Sequence, residues 1–310
     1  MSESFTEFVL AAPLATTPVG TVAQSLALVE GGVTKQVPWL SAARIRAVAD
    51  TTLYVNNVTG SDSNIGSAAA PFATILGAMN GMNALYDVAD KNFGILVDNT
   101  GITYGGVYQE SAGWTGTGSL SIAASSPGVV VDGNVGLSAS NGGAAFLIAG
   151  AVPGPITLSG FTMQGVSGIV VGEGTNVNVG PNMVYGNCSG NHMAVGTHGR
   201  INLLNSYQVS GNSPFHFFGD NLGLIRNIGN VVCSFVGAPT IGVFALAYHG
   251  CQIVIPGLSF SGLPAAGCQK FIVALNAAID TGTGDVNHLP GTVAGVGQYG
   301  SPGWTGGQYG

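Results

Sequence analysis

The sequence predicts an all-β chain built as a right-handed parallel β-helix, with a short N-terminal attachment segment and one capping α-helix. Three observations carry that expectation. Short apolar runs recur about every 24 residues in three interleaved series. Glycine, at 51 of 310 residues, punctuates those runs where a coil must turn, while charged residues make up 7% of the chain against 46% hydrophobic. Helical periodicity is present before residue 90 and absent beyond residue 100.

Residues 1–50 read differently from the rest. Leu26–Val29 and Val33–Val37 flank Gly31-Gly32, which predicts a β-hairpin, and Leu40–Val48 reads as a linker or short helix. Residues 51–100 form the expected cap: a strand at Leu53-Tyr54-Val55, a turn-rich stretch to Gly66, and an amphipathic helix from Pro71 to about Ala89. Its apolar stripe would be Phe72, Ile75, Met79, Met82 and Tyr86.

Residues 101–280 carry the coils. One series begins at Phe146, Ile169, Met193, His216, Phe244 and Phe271, and a second at Ile156, Val177, Ile201, Ile225 and Ile253. A third begins at Phe161, Met183, Tyr207, Val231 and Leu258. Three strands per turn, each pairing with its equivalent about 4.8 Å away, leave a narrow interior filled by stacked apolar side chains. Gly160, Gly165, Gly172, Gly186, Gly196, Gly211 and Gly219 are expected at the corners, where the chain bends tightly or takes φ > 0. Residues 281–310 form a glycine-rich tail in which Gly297-Gln298-Tyr299-Gly300 recurs as Gly307-Gln308-Tyr309-Gly310. Tyr299, Trp304 and Tyr309, in a segment without charge after Asp285, read as an oligomerisation element.

Composition narrows the function. Seven Lys and Arg against fourteen Asp and Glu, a net charge of −7, cannot form a basic stripe, so nucleic acid is not an expected partner. No apolar run reaches the length of a membrane span, so membrane insertion is not expected, and the acidic start, with Glu3 and Glu7, predicts a cytosolic origin. Cys188, Cys233, Cys251 and Cys268 fit neither a CxxC pair nor a dense disulfide framework and read as buried free thiols. The histidines are dispersed, so neither a metal nor a cofactor is expected.

Three segments resemble phage tail and fibre proteins. Leu28 to Val37 looks like an N-terminal particle-attachment segment. Leu53-Tyr54-Val55-Asn56, Thr59 to Asn64, Gly66 and Pro71-Phe72-Ala73-Thr74-Ile75 are similar to the opening motif of phage β-helix proteins. Leu289 to Gly295, with Gly307-Gln308-Tyr309, looks like the closing segment of small phage or prophage tail proteins. The resemblance implies a homotrimeric fibre or spike subunit carried on the virion, exposed at the particle surface after assembly in the host cytoplasm. It further implies contact with other tail or head proteins through Val29, Val33, Val37 and Trp39, and with a host surface glycan.

Phage β-helices often carry glycan-cleaving carboxylates. Aligning Gly172, Gly196 and Gly219 sets Glu173, Thr197 and Asp220 at one position of three coils, with His198 alongside. Two rungs would separate the carboxylates by about 9.6 Å, near the top of the inverting-glycosidase range. The sequence nonetheless favours a coincidence of corner residues, because no aromatic sugar platform falls in these coils. A structural role is therefore expected, with a glycan depolymerase or a non-catalytic glycan-binding adhesin as alternatives. Asp280 and Asp285 are expected to cap turns.

Overall fold

The computed structural model describes residues 25–30, 33–38, 45–109, 114–135, 142–150, 152–285, 287–297 and 307–310. The chain divides into two units, Met1–Ala43 and Arg44–Gly310. In the first, Ser25–Glu30 and Val33–Pro38 form an antiparallel hairpin with Glu30 opposite Val33, as the Gly-Gly pair predicts.

The second unit is a parallel β-solenoid. One of its sheets stacks ten strands, from Thr51–Val55 through Phe93–Val97 and Leu120–Ala124 to Gln308–Tyr309 at the last rung. Along this stack Phe93, Leu120, Ile156, Val177, Ile201, Ile225, Ile253, Ile279 and Tyr309 lie in one unbroken column. All but Tyr309 are essentially sealed from solvent. Each contributes on the order of 2 kcal/mol of burial that depends on the rung above and below. The second predicted series is this column.

The other two strand positions of each coil belong to one bent sheet. They merge into continuous strands at Phe161–Val171 and Met183–Val195, with register shifts between Met163 and Ser167 where the sheet turns. Two predicted series need correction here. Met193 pairs with Phe217, and Phe217 with Ala245, so His216 and Phe244 start one residue too early. Tyr207 pairs with Cys233, and Cys233 with Phe260, so Val231 and Leu258 start two residues early. At the bend adjacent residues both turn inward: His216 and Phe217 are each fully buried, which defeats a strict alternation.

The helix is shorter than predicted, Ile75–Leu85, because Tyr86–Ala89 leaves it to pair with Ile45–Arg46 and Thr115–Gly116. Ile45–Arg46 is thus a strand, not part of a linker or helix. Thr74 caps the helix, its Oγ1 accepting from Gly77 N at 2.8 Å, while Asp62 accepts from the Ala73 and Thr74 amides and the Thr74 hydroxyl. The opening motif packs around these groups. A Cβ on Gly60 would lie 2.2 Å from Phe72 O, and Gly66, at φ +78°, faces the Phe72 ring. Of the seven predicted corner glycines only Gly160 and Gly165 have positive φ.

Candidate functional site

Between the bent sheet and the ten-stranded sheet, five successive coils turn the same corner. The four-residue turns start at Gly172, Gly196, Asp220, Tyr248 and Ala274, each closed by a hydrogen bond from the fourth residue's amide to the first residue's carbonyl at 2.8–3.2 Å. Both central residues have φ > 0: Glu173 and Gly174, Thr197 and His198, Asn221 and Leu222, His249 and Gly250, Leu275 and Asn276. Such a turn normally calls for Gly, Asn or Asp. Here the corners also bond to one another, Gly174 N to Thr197 O, His198 N to Asn221 O, Leu222 N to His249 O and Gly250 N to Leu275 O. That ladder offsets the strain of side chains in left-handed backbone.

The ladder revises the predicted carboxylate pair. Val171 pairs with Val195 and Val195 with Gly219, so Asp220 aligns with Gly172 and Gly196, and the residue aligned with Glu173 and Thr197 is Asn221. Glu173 and Asp220 therefore do not share a column as the glycine alignment predicts, because Gly219 is in register with Val195 and not with Gly196. Glu173 and His198 are exposed on the corner. The Asp220 carboxylate is engaged elsewhere, accepting from the Asn221 amide at 2.8 Å and pairing with His249 Nδ1 of the next coil. Asp132, Asp280 and Asp285 accept from backbone amides two residues ahead, as turn caps.

Tyr309 is half-buried, its ring stacked on Phe271 at 4.0 Å and 13°, with its hydroxyl donating to Asp285 O. Tyr299 and Trp304 lie outside the described residues, as does Trp39. Val29 and Val37 fall in the hairpin strands, opposite Thr34 and Leu26.

Two arrangements escaped the sequence reading. Inside the bend, the Tyr207 hydroxyl lies 2.9 Å from His216 Nε2, His216 Nδ1 lies 3.0 Å from His192 Nδ1, and His192 Nε2 lies 3.1 Å from Gly186 O. The carbonyl can only accept, so His192 Nε2 carries a proton. His192 Nδ1 then accepts from His216 Nδ1–H, and His216 Nε2 accepts from Tyr207. Both imidazoles are neutral, and burial holds His192 at about 4 and His216 well below the ordinary histidine value. All four thiols are buried and free, as predicted, and burial raises Cys188, Cys233 and Cys251 to about 12 and Cys268 to about 11.

On the outer face of the ten-stranded sheet, Thr157, Asn178, Asn202 and Arg226 occupy one position of four rungs. Arg226 Nε donates to Asn202 Oδ1 at 2.6 Å. Asn202 Nδ2 donates to Asn178 Oδ1 and Asn176 Oδ1, and Asn178 Nδ2 donates to Thr157 Oγ1. Asn202 is only 2% exposed although Ile201 and Leu203 on either side point into the core. Among the described residues no three His, Cys, Asp or Glu side chains converge as metal ligands, and no helix is long and apolar enough to cross a membrane. The chain matches no protein-family model, no curated protein and no solved structure.

Proposed function

We propose that this chain is a non-catalytic fibre or spike subunit of a phage-like particle, working as a homotrimer. In this reading the hairpin unit joins it to other tail or head proteins, and the solenoid forms a rigid body at the virion surface that bridges to other fibre proteins or meets a host glycan. The observation that carries the reading is the solenoid itself: coils stapled by a core column, a corner ladder and an outer amide ladder, opened by a helix-capped motif like that of phage β-helices. A body stabilised rung on rung suits a load-bearing rod. The engagement of Asp220 by His249, together with its offset from Glu173, argues against a depolymerase built on that pair.

Light scattering on the full-length protein tests the assembly. Three times the 31.0 kDa chain mass, lost in a truncation ending at Asp280, supports a trimer closed by the tail. A monomer in both forms overturns it. Release of reducing ends from host polysaccharide, abolished in Glu173→Gln, would instead restore the depolymerase.

A further inference from the structure

We propose that Arg226 and Arg200 form a subsite on the ten-stranded sheet for the carboxylate of an acidic saccharide. This rests on the adhesive form of the reading above and names what the face would hold. Two of the seven basic residues of an acidic chain lie on adjacent rungs of one sheet. Arg200 opens its strand, opposite Leu224, and Arg226 stands two residues further along the next rung. That diagonal brings backbone positions to about 7–8 Å, within which two long side chains can meet one anionic group.

The site is built rather than incidental. Asn202, almost wholly buried, holds Arg226 through Nε alone, and Asn176 and Asn178 hold Asn202 in turn. Binding through Nε fixes the guanidinium plane and leaves its terminal nitrogens to form a planar fork suited to a carboxylate. Among the described residues neither arginine makes an ion pair. Asn176 and Asn178 on the rung before Arg200 and Gln252 on the rung after Arg226 present amides beside them. Thr157 and Ser121 continue the polar track with hydroxyls two and three rungs before Arg200, a track suited to sugar hydroxyls. A compact free anion would use the arginines and leave that track idle.

Calorimetry with a galacturonate hexamer, its methyl ester and inorganic sulfate tests this on the full-length protein. The acid hexamer should bind, the ester at least ten-fold more weakly, and Arg226→Gln and Arg200→Gln should each cost the acid form ten-fold or more. Asn202→Ala should cost affinity with both arginines present, since it frees the guanidinium to rotate. Circular dichroism verifies that each variant is folded. Equal binding of acid and ester, or acid binding unaltered in Arg226→Gln, overturns the subsite while leaving glycan adhesion standing. Sulfate bound as tightly as the hexamer makes it a free-anion site and overturns the saccharide. No binding of any of the three overturns the proposal, and the trimer is still judged separately by its mass.

Discussion

Protonating His192 at Nδ1 would set donor against donor, since His216 Nδ1–H faces it. His192 is held at about 4 against 6.5 when free, so as pH falls the unfolded chain takes up the proton first. Stability is therefore full above pH 6.5 and declines towards about 4, by roughly 3 kcal/mol for this one group. Urea unfolding at pH 7.5, 5.5 and 4.5 should show the midpoint falling across that window, and a flat midpoint would contradict the lowered His192 value. His216→Phe keeps a ring against Phe244 but strands the Tyr207 hydroxyl and His192 Nδ1. It should cost about 2–4 kcal/mol at pH 7.5. None of this was legible in the sequence, because His192 and His216 meet only through the register. A series started one residue early cannot show that they face each other on adjacent rungs.

Each element depends on close approaches that tolerate little change. Asp62→Ala removes three hydrogen bonds from the start of the helix and should cost about 1–2 kcal/mol, with faster amide exchange at residues 73–77 while the distant coils are unaffected. A Cβ on Gly219 would meet Cys251 Sγ at 2.0 Å, so Gly219→Ala should be destabilising, and adding Cys251→Ala should recover part of the loss. Additive losses in the double variant would show that the clash lies elsewhere. Strand existence was readable from apolar trios at about 24-residue spacing, and so was the helix. Its ends were not, since Tyr86 continues the apolar stripe while its backbone is claimed by a neighbouring strand. The corner turns were missed for a related reason. Thr197, His198, Leu222 and Leu275 are poor left-handed residues, and the bonds that close each turn and link it to the next coil keep them there.

At the scale of the whole solenoid each coil touches only its neighbours, so damage should stay local. Deleting residues 307–310 removes the Tyr309 stack and the last rung. Amide protection should be lost at 278–280 yet retained at 156–227, and uniform loss would mean that the stack melts as one body. The fold class was legible from period and composition alone, whereas the outer arginine pair was not, since its sense depends on which residues share a face. The four sealed thiols lie at successive stations along the coils, Cys188, Cys233, Cys251 and Cys268, and none is bonded to another. They make the rod a chronometer of its own opening. Under a thiol reagent, the sequence in which the four become modified would map breathing along the axis and tell which end lets go first.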